Sequence, residues 1–193
     1  LVEINTASAR EHVGEVERKI RTAKERARCL IAPMPFEVLP KQFVISIVYF
    51  GTMMLNAFIA EKGVSQRFSP RELMTGRTLE YGKSLPDIIF GSYVEGSTDK
   101  VITNTSESRT IAGIYLGPTG NIQGTHKVFC LKTGIVHKMK TVTVFPMPDN
   151  VIKLVNAWGR RYQKVKSKDL LTFLNRKKQP FEWENEELED ADV

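Results

Sequence analysis

The chain is 193 residues long, 41% hydrophobic and formally charged +6, which is enough apolar material for one modest core or for two small ones joined by a linker. Cys29 and Cys130 are its only cysteines and stand too far apart in sequence to suggest a disulfide framework, so a reducing compartment fits best. With His12, His126 and His137 as the only histidines and no Cys-x-x-Cys pair, a structural zinc site lacks a ligand set.

At the start, Glu3, Arg10 and Glu11 interrupt any apolar run, and no secretory leader is expected there. Val13, Val16, Ile20, Ala23, Ala27 and Leu30 then recur at spacings of three and four, which predicts a helix with one apolar seam. Glu17 falls beside that seam, between buried and wet surface. Arg21, Lys24 and Arg28 follow it at i+4, i+7 and i+11 along the same side, with Arg18 adjacent, a row able to track a phosphate backbone. Spacing alone is better explained by ion pairs of Glu17 with Arg21 and of Glu15 with Lys19, each worth about 0.2–0.5 kcal/mol.

Pro33 and Pro35 stop this helix and Pro40 can open the next. Residues 42–60 carry no charge, and Val44, Ile47, Val48, Met54, Leu55, Phe58 and Ile59 recur at helical spacing with Ser46, Gly51, Thr52 and Asn56 among them. A membrane span needs about 20 mostly apolar residues, so a buried core helix is expected here and no membrane partner. Further on, Ser69 as cap, Pro70 at the first helical position, Glu72 at the third and Gly76 as terminator predict a short helix.

After Gly82 the pattern shortens to β-type runs at 90–94, 110–116, 127–131, 135–138 and 141–145, with turns at 118–121 and 132–134. Five short strands in about 60 residues predict a small barrel or a twisted meander, closed against bare edges. Lys127, Lys132, Lys138 and Lys140 punctuate them, either as contacts to a nucleic-acid backbone or as outward lysines that blunt sheet edges. Pro146 and Pro148 close the set. Asp149 can cap a helix with Val151, Leu154, Val155 and Trp158 on one side. From 160 to 178, eight basic residues, Arg160 and Arg161 first, face the single acid Asp169. Residues 182–193 hold seven acidic side chains and no basic one, leaving 28 basic against 15 acidic over 1–181. That surplus favours a polyanion through counterion release, without choosing among DNA, RNA and an acidic protein. The acidic end is expected to be disordered, either folding back on the basic run or serving as a solubilising linker.

The run His12-Val13-Gly14-Glu15-Val16-Glu17-Arg18-Lys19-Ile20-Arg21 resembles the last catalytic helix of Ty1/copia-type retrotransposon integrases, which reads roughly His-x-Gly-x-x-Glu-Arg-x-x-Arg. It departs from the usual wording at Val13 and at Lys19-Ile20. The Ser69-Pro70 helix with Gly76-Arg77, the Phe90-Gly91 pair, Tyr115-Leu116-Gly117 and the 129–145 stretch with its Lys132-Thr133-Gly134 turn are similar to later landmarks of the same Pol polyproteins. The resemblance spans roughly residues 10–160. It implies an α+β chain in which residues 1–86 are the C-terminal portion of an RNase H-like catalytic core, 87–148 an SH3-like β-barrel, and 149–193 a helix, basic run and acidic tail. It assigns Glu17 as the catalytic and metal-binding carboxylate of an Asp, Asp, Glu set served by Mg²⁺ or Mn²⁺ in the intact enzyme.

No Asp precedes Glu17, so the segment bearing both aspartates is expected to be missing, as is the zinc-binding N-terminal module. The first domain is expected to be incomplete and marginal, and the fragment to hold no metal and to be silent in strand transfer. DNA is the expected partner, mostly without sequence preference, through Arg18, Arg21, Lys24, Arg28, Lys127, Lys138, Lys140, Arg160 and Arg161; self-association is a further expectation, and the compartment nuclear or cytoplasmic. Two other classes remain open: a stand-alone SH3-like module for RNA, chromatin or a protein, and a complete metal-dependent nuclease, against which stands the position of Asp87, Asp99 and Asp149 in or beyond the linker and barrel.

Overall fold

A computed structural model describes residues 14–61, 63–78, 80–85, 87–97, 110–121 and 123–162. His12, Val13, Asp99, the basic run past Tyr162 and the acidic residues 182–193 lie outside the described residues.

Helix α1 (Gly14–Ile31) follows the predicted seam, but only its second half is covered. Ala27 is fully buried, with Leu30 and Ile31 packed beside it, whereas Val16 is 53% exposed. Helix α2 (Lys41–Ala57) opens after Pro40, whose φ of −60° suits a helix entry, and ends three residues short of the expected point, with Phe58 extended. It is one-sided rather than wholly buried. Phe43, Ile47, Gly51 and Ala57 face inward, while Ile45 and Tyr49 look outward, because only one flank of the helix lies on the sheet. Among the described residues no helix is long and apolar enough to cross a membrane.

Helix α3 (Pro70–Thr75) carries the capping box read from the sequence. The Ser69 hydroxyl accepts from the Glu72 N–H, the Glu72 carboxylate accepts from the Ser69 N–H at 2.8 Å, and Gly76 ends the helix at φ 64°. Helix α4 (Tyr81–Ser84) was not expected; Tyr81 stacks on Phe58 at 5.8 Å and donates its hydroxyl to the Ala57 carbonyl.

The strands β1 (Tyr93–Ser97), β2 (Thr110–Pro118), β3 (His126–Cys130), β4 (Val136–Met139) and β5 (Val142–Val144) form one antiparallel sheet in the order β4-β3-β2-β1-β5. The first four make a meander and β5 returns to pair with β1. The chain is thus α+β, with β4 and β5 as the edges of an open ladder where closure was expected. The sheet nevertheless curls strongly. Met139 on β4 touches Gly96 on β1, three positions away in strand order and about 14 Å off in a flat sheet. A Cβ on Gly96 would overlap the Met139 sulfur, so the curl depends on a residue without a side chain there.

Helix α5 (Asp149–Tyr162) lies on the same side of the sheet as α1 and α2. Val151 and Val155 are buried as expected, but Leu154 points to solvent because the contact stripe runs through positions 151, 155 and 158. One core joins Ala27, Phe36, Phe43 and Ile47 to Ile114, Leu116, Phe129, Leu131, Val151 and Val155. The expected boundary after residue 86 therefore falls between two stretches that share this core. The concave side holds a second, smaller cluster of Val94, Tyr115, Val128 and Met139.

Candidate nucleic-acid interface

The basic row on α1 is present as a surface feature. Arg18, Arg21 and Arg28 are exposed and Lys24 is half-buried, winding along the side of the helix that also carries Glu17. Glu17 is half-buried, and both it and Lys24 have interaction partners within the fold. Among the described residues no group of three or more His, Cys, Asp or Glu side chains is arranged to hold a metal ion.

A second basic area lies at the far end of the β3–β4 pair. Lys127 stands directly opposite Lys138, and Lys140 is exposed just past β4. The Lys127 ammonium sits 5.8 Å from the ring centroid of Tyr49 on α2. The single acidic residue in the five strands, Glu95, is at the opposite end of the sheet, paired with Ala112. Near the basic end, Arg71 of α3 donates to the Gly120 carbonyl at 3.4 Å.

The α5 arginines are tied into the fold instead of standing free. Arg160 pairs with Glu37 at 3.2 Å, and Arg161 lies 5.3 Å from the Trp158 ring, whose Nε1–H donates to the Leu131 carbonyl. The structure therefore divides the predicted DNA-binding set into three areas: the α1 row, the β3–β4 end and the α5 end. Tyr49 belongs to the second and was missed. Its signal was available, since positions 41, 45, 49, 52 and 56 form one stripe of α2 at spacings of three and four, opposite the buried stripe through Phe43, Ile47 and Gly51.

The concave cluster has a different character. The Tyr115 hydroxyl, His126 Nδ1 and His137 Nε2 are buried and have no hydrogen-bond partner among the described residues. Burial pushes the Tyr115 phenol upward and the His126 imidazole below the usual histidine range, so both favour their neutral forms. Elsewhere an apolar cleft of about 260 Å³ opens beside β5, lined by Pro33, Pro35, Ile89, Tyr93, Phe145 and Met147 among others, with no charged side chain in its wall.

Compared with known protein families, curated proteins and solved structures, the chain matches none.

Proposed function

We propose that the chain is part of a Ty1/copia-type retroelement integrase: the closing stretch of an RNase H-like catalytic core, carrying Glu17, followed by an SH3-like module, and binding DNA without strand transfer on its own. The observation that carries this reading is the state of α1. The helix bearing the family motif displays an exposed basic row beside a half-buried Glu17, and the first half of its apolar seam is left uncovered at Val16. An uncovered seam is what the rest of a catalytic domain would bury, with Glu17 then facing further carboxylates. The return of β5 to β1 after a four-strand meander, with a strong curl, supports the SH3-like part of the reading.

The described residues do not fit a two-ion Mg²⁺ or Mn²⁺ site, since one carboxylate cannot hold two ions about 4 Å apart, and no catalytic step is derived from them. Their chemistry is phosphate binding by Arg18, Arg21, Arg28 and the sheet lysines. A stand-alone module for a protein partner is favoured by a different feature, the apolar cleft beside β5.

Duplex binding measured across salt tests the reading. Each neutralised phosphate adds about 0.9 to the magnitude of the slope of log K against log salt, and Arg21→Gln with Arg28→Gln lowers that slope by about 2. Affinity that does not change between low and physiological salt removes the DNA reading. Fusing a segment that supplies two aspartates is expected to create strand-transfer activity that Glu17→Gln abolishes with DNA affinity retained; equal activity with Gln at position 17 removes the catalytic assignment.

A further inference from the structure

The basic end of the β3–β4 pair contains an arrangement that folding does not require. Tyr49 is 68% exposed, on the outer stripe of α2, where an aromatic contributes nothing to the core. Lys127 and Lys138 are cross-strand partners. The Cys130 N–H donates to the Ile135 carbonyl, which makes 130 and 135 a hydrogen-bonded pair; alternation along the ladder then makes 127 and 138 a non-hydrogen-bonded pair, the kind that brings side chains closest. Like charges at such a position destabilise a sheet. No carboxylate pairs with either lysine among the described residues, and α2, β3 and β4 contain no acidic residue at all. Two lysine stems thus leave adjacent positions of the ladder, one of them reaching an exposed aromatic ring, with no paired carboxylate among the described residues.

We infer that Tyr49, Lys127 and Lys138 bind one nucleotide of a single-stranded nucleic acid, with the phosphate shared between the two lysines and the base stacked on Tyr49. This rests on the nucleic-acid reading above and names the part of the surface that takes unpaired strand. Phosphate between the lysines relieves their repulsion, and its single negative charge is the counter-ion that the fold omits. The open surface of the Tyr49 ring offers any base a stacking platform, which a duplex cannot use because its bases are already stacked on one another. The α1 row, in this reading, serves backbone charge.

The test uses the whole chain and fluorescence anisotropy with labelled oligo(dT), oligo(U) and a duplex of the same length. Tyr49→Ala, at a position too exposed to disturb the core, is expected to weaken single-strand binding about five- to a hundredfold, with Tyr49→Phe close to wild type and duplex binding little changed. Lys138→Gln is expected to lower the salt slope on the single strands by about 0.7. Loss on either oligonucleotide supports the site. Unchanged single-strand affinity in Tyr49→Ala, or an equal loss on single strand and duplex, overturns the proposal and leaves Tyr49 as packing for the Lys127 stem. Tyr49-dependent single-strand binding in a chain whose duplex affinity ignores salt overturns the integrase reading while this site stands.

Discussion

On the side of the sheet turned toward the helices, Ile114, Leu116, Phe129 and Leu131 meet Phe36, Phe43, Ile47, Val151 and Val155, and the rings of Phe36, Phe43 and Phe129 pack edge to face at 5.9 and 5.1 Å. On the concave side, Val94, Val128 and Met139 share their space with Tyr115, His126 and His137, three of whose polar atoms are buried without partners among the described residues. Edge-to-face aromatic pairs add about 0.5–1.5 kcal/mol beyond area burial. A buried unsatisfied polar group costs about 1–3 kcal/mol. In the concave layer the cost of those polar atoms offsets part of what the burial of Val94, Val128 and Met139 contributes, an offset the helix-facing layer does not carry.

The strongest way to break this contrast is Phe43→Ala, which removes a ring joining α2 to β3 through Phe129. It is expected to cost about 3–5 kcal/mol in urea unfolding, and the wild-type protein is expected to unfold in one transition. Two separated transitions would show that helices and sheet do not depend on the same core. On the concave side, Gly96→Ala forces a methyl into the Met139 sulfur and is expected to cost about 1–3 kcal/mol. Combined with Met139→Ala, the loss should fall short of the sum of the two singles; strict additivity would mean that the curl does not bring β4 against β1.

The contrast sharpens with pH. The folded state holds His126 below the usual value of 6.5, because burial penalises its charged form. As pH falls through 6.5 the unfolded chain takes up a proton that the folded chain resists, so stability is fully present above that value and declines below it. Urea midpoints measured at neutral pH and at mildly acidic pH should fall in that order, and His126→Gln should flatten the decline. The smallest effect is expected at the surface. Arg160→Ala breaks an ion pair whose two side chains are 66% and 74% exposed, and the expected cost is about 0–1 kcal/mol by thermal melting.

Local chemistry made much of this fold legible. The α3 cap needed only Ser69, Pro70, Glu72 and Gly76, and the presence of five short strands followed from β-type runs and turn residues. The sequence did not reveal which flank of each helix meets the sheet. Leu154 belongs to an apolar pattern yet faces solvent, because helical period describes a stripe and not what covers it. For the same reason the α1 seam reads as continuous from Val13 to Leu30, although its Val16 end is open. The interface was partly legible: the lysines were evident as residues, but their pairing across β3 and β4, and the approach of Tyr49 from a helix almost 80 positions earlier, depend on register and crossing geometry that no local pattern encodes.

The side chain of Asn156 has a use as an internal reporter. It is buried on α5, and its Oδ1 accepts from the backbone N–H groups of Glu37 and Val38, 119 and 118 positions earlier, at 3.0 and 3.1 Å. Those two amides lie in the connection between α1 and α2 and owe their shielding to a helix from the other end of the folded region. Their hydrogen-exchange rates consequently time the detachment of α5: solvent deuterium reaches them when the last helix lifts away, even while the strands remain paired.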